Sequence, residues 1–204
     1  MSTLRSSSTL RMTQLAILTA IVGVLSYFGG FIKIGGLASI SLTLVPVVLG
    51  AALLGPRAGA WLGAVSGVVF FLTADAAFWL NLSVFGTIVT VMVKGTLAGL
   101  LAGLVYRALE KKKPFAALLS AAAICPIVNT GIFLVGCLIF FFDAVKEMAN
   151  AADSSVFAFL IVVFVGLNFV FELLLNLLLT PALQRVIKTV APYTARKHTV
   201  SKSK

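Results

Sequence analysis

Six long apolar segments fill most of this 204-residue chain, and they limit its possible folds more than any other feature. Hydrophobic residues make up 60% of the chain and charged residues 11%, which lies outside the usual composition of soluble domains. About 20 apolar residues in a helix cross the hydrocarbon core of a bilayer. The segments lie at 12–32, 43–56, 58–74, 86–108, 116–141 and 156–180. The sequence therefore predicts an all-α, polytopic membrane protein with a single bundle of six transmembrane helices.

The connections between these segments carry further predictions. The second and third segments are short and meet at Gly55-Pro56, which indicates a tight helical hairpin. Two stretches, 75–86 and 142–155, are expected to be outer loops, the first with aromatic character and the second acidic and polar.

Basic residues alternate between the two ends of the predicted bundle. One end collects those at positions 5, 11, 57, 107, 111–113, 185, 188, 196, 197, 202 and 204, whereas the other end has only Lys33 and Lys146. By the positive-inside rule, both termini are expected to be cytoplasmic. The prediction is a cytoplasmic segment at 1–11, a transmembrane substrate-binding domain at 12–188 and a basic cytoplasmic tail at 189–204. The net charge of +10 is then a topology signal and an attraction to the lipid bilayer, and it does not indicate nucleic-acid binding.

The sequence offers little for catalysis. The single histidine, His198, lies in the basic tail, so no intramembrane histidine is available as a general base or a metal ligand. Neither a zinc-protease motif nor a phosphate-binding loop is present. We expect no enzyme, no metal site and no cofactor.

A small polar set inside the membrane is the candidate binding site: Lys94, Asn129, Asn168 and Glu172. A charge at the bilayer centre costs roughly 2.5–3.5 kcal/mol, so such residues usually face a cavity or a partner. At about 1.5 Å per residue, Asn129 and Asn168 both lie about 18 Å below the outer surface. Lys94 lies about 12 Å down and Glu172 about 24 Å, too far apart for an easy ion pair. Lys94 is then free to face an anionic ligand, with amides beneath it.

Other interpretations of these residues stay open. Asparagines in membrane bundles often only hydrogen-bond to neighbouring helices, and Lys94 can extend outward to the headgroups. Glu172 either binds substrate, satisfies a buried network or is protonated. Asn168, Glu172 and Asn176 lie at i, i+4 and i+8, which places all three on one face of the last helix.

Small residues at four-residue spacing form stripes that allow helices to approach closely. The stripes at glycines 59, 63 and 67 and at glycines 95, 99 and 103 are expected to pack inside the bundle. The stripe of Ala16 and Ala20, which Gly23 continues, lies in the cytoplasmic half and predicts a docking face for another membrane protein.

A glycine-rich outer loop follows the first segment. Four glycines in residues 29–36 favour a mobile lid over a rigid turn. We expect Gly35, Gly36 and Ser39 to belong to this lid and the protein to capture a solute from outside.

Three segments resemble the substrate-binding S-components of energy-coupling factor (ECF) vitamin transporters. They are residues 16–20 (AILTA), 46–60 (PVVLGAALLGPRAGA) and 126–133 (PIVNTGIF), and the resemblance extends over residues 10–188. It lies in the branch of pantothenate, riboflavin and folate carriers. The resemblance implies that Ala16 and Ala20 pack against a transmembrane coupling protein, that two ATP-binding subunits supply energy, and that the location is the bacterial plasma membrane.

The resemblance also implies a vitamin substrate. Pantothenate, with a carboxylate, an amide and hydroxyls, would suit Lys94, Asn129 and Asn168, and riboflavin comes next because Phe133, Phe78 and Trp79 offer aromatic rings. Two other classes remain: a stand-alone proton-coupled secondary transporter that uses Glu172, and a membrane assembly protein without transport activity.

Overall fold

A computed structural model describes the backbone of residues 2–29, 33–34, 38–39 and 42–195. Side chains are described for residues 9–29, 42–163, 166 and 169–190. Helices dominate these residues, which confirms the all-α prediction, and the exception is one pair of very short strands. The helices are α1 (Ser2–Gly29), α2 (Leu44–Leu54), α3 (Pro56–Phe70), α4 (Ala74–Leu82), α5 (Val84–Leu109), α6 (Pro114–Phe140), α7 (Phe142–Ala151), α8 (Val156–Phe159) and α9 (Val170–Ala195).

A π-helical segment, Leu160–Phe169, connects α8 to α9. The strands β1 (Lys33–Ile34) and β2 (Ala38–Ser39) follow α1 and pair in antiparallel register, with Lys33 opposite Ser39.

Within the described residues, four helical stretches are long and apolar enough to cross a membrane: Thr9–Gly29, Val84–Leu109, Pro114–Phe140 and Val170–Val190. The pair α3 and α4 also qualifies as one span, although it is bent by 84°. Helix α2 is apolar but has 11 residues, about 16 Å of helix, and so covers only half of a hydrocarbon core by itself. The chain is therefore a polytopic membrane protein with four or five such spans among the described residues, and the predicted count of six stays a prediction.

The hairpin between α2 and α3 turns at a single residue, as the sequence predicts. Gly55 has φ of 103°, a conformation that glycine adopts without steric cost. Pro56 then starts α3, at a position where the missing N–H is not needed for the helix. A side chain at position 55 would collide with the Arg107 guanidinium from α5.

The centre of the bundle is the contact between α3 and α5, where glycines meet backbone to backbone. A Cβ atom on Gly63 would overlap the Gly95 carbonyl, and one on Gly59 would overlap the Gly99 carbonyl. The absence of side chains lets the two helices come close enough for their backbones to touch. The prediction that these stripes pack inside the bundle is confirmed.

Two of the loop predictions are wrong, because 75–86 contains most of α4 and 142–155 contains all of α7. Helix α7 is amphipathic: Val145 and Ala149 are buried one turn apart, whereas Asp143, Lys146 and Glu147 are exposed. The charged face of this short helix makes its composition look like that of a loop.

Candidate functional site

Lys94 lies in the middle of α5, where α3 and α6 both supply an aromatic ring to its ammonium group. Its Nζ atom lies 5.0 Å from the centroid of Phe133 in α6 and 5.7 Å from the centroid of Phe70 at the end of α3. Both distances are within the range of cation–π attraction. The side chain is only half-buried, so its position is compatible with a role in binding.

An aromatic cluster, which consists of Phe70, Phe78, Trp79, Phe133 and Phe141, adjoins the ammonium group. Within it, Trp79 makes edge-to-face contacts at centroid distances of 5.3 Å to Phe78, 5.3 Å to Phe133 and 5.1 Å to Phe141. Helix α4 is fastened to α5 because the Thr87 hydroxyl donates a hydrogen bond of 2.7 Å to the Trp79 carbonyl. The cluster therefore forms a fixed aromatic wall on one side of Lys94.

The buried acid Glu172 in α9 interacts electrostatically with Lys94. It is 3% exposed and belongs to a polar ladder along one face of α9. The Asn176 amide donates to the Glu172 carbonyl at 2.9 Å, and the Thr180 hydroxyl donates to the Asn176 carbonyl at 2.9 Å. The depths estimated from the sequence put Lys94 and Glu172 about 12 Å apart along the membrane normal. In the structure, the charge of Glu172 nevertheless influences Lys94.

Asn129 is half-buried in α6, one helical turn before Phe133. Residues four positions apart share a helix face, so Asn129 lies on the side of α6 that carries the Phe133 ring against Lys94. The structure thus places two of the predicted site residues, Lys94 and Asn129, along one side of the α5–α6 contact.

Asn168 falls in the π-helical segment, and its side chain is outside the described residues. A π-helix follows an i→i+5 pattern up to Phe169, and the regular α-helix begins only at Val170. The predicted shared face of Asn168 with Glu172 and Asn176 therefore stays a prediction. Only Glu172 and Asn176 are joined in the described structure, and the role of Asn168 in binding stays a prediction.

The predicted lid is described only in part. Ser39 lies in β2, which contacts the π-helical segment, whereas Gly35 and Gly36 are outside the described residues. The backbone at Ser39 therefore lies against the segment that contains Asn168, and the closing motion stays a prediction.

The predicted docking residues Ala16 and Ala20 are both exposed on α1. A Cβ atom on Gly23, the next small residue of the stripe, would meet no atom within 4 Å. The stripe therefore faces away from the bundle, which a docking face requires.

Two residues near Lys94 were not predicted from the sequence. Phe70 ends α3 beside an adjacent phenylalanine, and nothing in its local sequence connects it to Lys94. Thr90, one turn before Lys94, is 3% exposed, and its Oγ1 atom has no hydrogen-bond partner among the described residues. Hydroxyl groups in membrane helices usually hydrogen-bond to the backbone of their own helix. The sequence alone therefore does not reveal a threonine whose hydroxyl lacks such a bond.

Comparison with known protein families identifies the chain. The family described as "ECF transporter, substrate-specific component" matches residues 10–184. This chain belongs to that family. No curated protein and no solved structure matches it. Substrate-specific components are not a class of enzymes, and the family associates with ECF coupling and ATPase modules. This S-component is accordingly a multi-pass membrane protein and the substrate-binding subunit of an ECF importer.

Proposed function

We propose that this S-component captures a water-soluble vitamin with an anionic group from outside the bacterial plasma membrane, with pantothenate favoured over riboflavin. The observation that carries the proposal is the Lys94 ammonium group, half-buried inside a membrane bundle and within cation–π distance of the Phe70 and Phe133 rings. A cation in this setting is costly unless a partner compensates it. Glu172 supplies part of that compensation, and a substrate carboxylate would add a charge-assisted hydrogen bond.

The arrangement of the aromatic cluster supports pantothenate over riboflavin. The Trp79 ring is buried and three other rings contact it edge-on, so it does not present an open face for stacking a flat ring. Pantothenate needs a cation, amide groups and hydroxyls instead. Lys94, Asn129 and Asn168 would provide these, and Glu172 would orient Lys94 or accept from a substrate hydroxyl.

Binding to the purified full-length protein tests this assignment. Isothermal titration calorimetry with a panel of water-soluble vitamins should show that pantothenate binds most tightly. The same titration of the Lys94→Met protein should show a pantothenate affinity lower by roughly 10- to 100-fold, because a hydrogen bond to a charged group is lost. Lys146→Met is the matched control: this lysine is exposed on α7, so its loss should leave the affinity unchanged. Unchanged affinity in Lys94→Met would refute the role of Lys94, and tight riboflavin binding instead would overturn the choice of vitamin.

We further propose that uptake requires an ECF transmembrane coupling protein and two ATP-binding subunits, with Ala16 and Ala20 in the contact. A proton-coupled mechanism is the second candidate, because Glu172 is a buried acid that interacts electrostatically with Lys94. Vesicles that contain this chain alone distinguish the two mechanisms. The ECF mechanism predicts no uptake, whereas proton coupling predicts uptake that Glu172→Gln abolishes.

A further inference from the structure

A groove of about 600 Å³ opens at the basic end of the bundle, between α1 and the α2–α3 hairpin. Arg11 and Arg57 line it together with apolar side chains and one indole; the full lining is Arg11, Met12, Leu15, Leu54, Arg57, Ala58 and Trp61. None of these described lining residues is acidic. The groove is distinct from the Lys94 site, and neither the proposed substrate nor the docking stripe accounts for it.

The groove is polar at one end and apolar along its length. Arg11 is the third residue of the apolar stretch of α1, and Arg57 is in the first turn of α3. Leu15 and Trp61 follow each arginine by one turn, deeper in the membrane-spanning part of each helix. The Trp61 indole is directed further along α1, because its Nε1 atom donates to the Thr19 hydroxyl at 3.2 Å.

The guanidinium groups have donors to spare. Arg11 uses one N–H in a 3.3 Å hydrogen bond to the Leu54 carbonyl at the end of α2, and a guanidinium carries five N–H donors. Arg57 is exposed beside it, and Arg107 lies against Gly55 at the same hairpin. The planar, weakly hydrated guanidinium is the side chain best suited to a phosphate.

We infer that this groove binds an anionic phospholipid, with the phosphate on Arg11 and Arg57 and an acyl chain along Leu15, Ala58 and Trp61. In a phospholipid the charged phosphate lies at the membrane surface and the acyl chains lie deeper. The groove matches this order, because its arginines lie at the end of the bundle and the apolar side chains of Leu15 and Trp61 lie one turn deeper. Ala16 and Ala20 do not line the groove. Met12, which lines the groove, lies one turn before Ala16, so the groove adjoins the docking stripe without including its alanines.

Tryptophan quenching tests the inference directly, because Trp61 and Trp79 are the two tryptophans of the chain. In Trp79→Phe protein, Trp61 is the only tryptophan, and it lines the groove. The protein is reconstituted into phosphatidylcholine vesicles that contain brominated phosphatidylglycerol or brominated phosphatidylcholine at equal mole fraction. We expect brominated phosphatidylglycerol to quench Trp61 fluorescence at a lower mole fraction than brominated phosphatidylcholine does. The difference should be about five-fold for each arginine, since each basic group near an anionic lipid raises the affinity by about that factor.

The variants separate a site from a general surface charge. Arg11→Gln/Arg57→Gln should quench equally with both lipids, whereas Arg185→Gln/Lys188→Gln, which removes the same charge from exposed positions on α9, should keep the preference. In the parent protein the preference should fall as ionic strength rises, which provides a test if the double variant does not fold.

Two outcomes would overturn the inference. One is equal quenching by the two lipids in the parent protein. The other is a preference for phosphatidylglycerol that survives in Arg11→Gln/Arg57→Gln. If the parent shows no preference but the double variant loses co-purification with the coupling protein, the groove is a protein-docking surface instead.

Discussion

The charge on Lys94 is compensated by side chains from three different helices. Two ring faces approach its Nζ atom at 5.0 and 5.7 Å, and Glu172 attracts it from α9. Such contacts offset part of the cost of placing an ammonium group in a membrane bundle. The side chain is half-buried, and its ammonium group carries three N–H donors with which to bind an anionic ligand.

The cation–π contact should be measurable in the ligand-free protein. Phe133→Leu keeps an apolar side chain but removes the ring face, and it should lower the free energy of unfolding in detergent by about 1 kcal/mol. Phe157→Leu, at an exposed position in α8, is the control and should have a smaller effect. When Lys94 is already replaced by Met, Phe133→Leu should no longer lower the free energy of unfolding by more than the control substitution does. Equal losses with and without Lys94 would show that Phe133 acts only through packing.

At the scale of elements, the close approach of α3 and α5 positions the site. The glycines of the two helices meet backbone to backbone, and this contact brings Phe70, at the end of α3, next to Lys94 on α5. Helix α6 packs on the other side of α5 and contributes Phe133. The geometry around the ammonium group thus depends on a contact along the 15-residue α3, which is about four turns long, and not only on the residues that touch the ammonium group.

A single methyl group should disturb this contact. Gly63→Ala places a Cβ atom against the Gly95 carbonyl, and relief of the overlap should lower the free energy of unfolding by roughly 1–3 kcal/mol. Gly131→Ala is the matched control in α6, because its Cβ atom would meet no atom within 4 Å. Alanine there should be neutral or stabilising, since it favours the helix over glycine. Thermal unfolding in detergent measures both, and a Gly63→Ala protein as stable as the parent would contradict the contact.

In the whole molecule, α1 is the peripheral helix. Only 17% of its apolar window is buried, which is the smallest share among the candidate spans, and its small-residue stripe faces outward. The polar residues of the candidate site belong to α5, α6, the π-helical segment and α9, not to α1. The proposed ligand site and the proposed docking face are therefore separate surfaces.

This separation predicts that a bulky residue on the stripe affects assembly without affecting binding. Ala16→Trp should abolish co-purification with the ECF coupling protein and its ATPases, because a large ring prevents close helix approach. Leu178→Trp, at a position 76% exposed on α9, should leave the complex intact. Titration calorimetry should show unchanged vitamin affinity in both variants. Co-purification of the Ala16→Trp protein at the parent level would locate the docking face elsewhere.

Several features followed from the sequence because they depend on composition or on a few neighbouring residues. Long apolar runs determined the all-α, polytopic class, since unpaired backbone groups are not tolerated in lipid and helices satisfy them internally. Gly55-Pro56 determined the hairpin turn, because glycine adopts the positive φ of the turn without steric cost and proline favours the first position of the next helix. The glycine stripes predicted internal packing because their spacing matches the helical repeat.

Other features were decided only by the tertiary structure. Helix α7 went unrecognised because four of its ten residues are polar. Helix α4 went unrecognised because its nine residues, most of them apolar or aromatic, are too few to cross a membrane. The buried contacts of both helices appear only when they pack on the bundle. The π-helical segment that contains Asn168 was likewise not predicted, because no local sequence signal distinguishes it from the regular α-helix that follows. The contact of Lys94 with Phe70 and Phe133 joins residues far apart in the chain. Local rules act over a few residues, whereas this site exists only because three helices pack together.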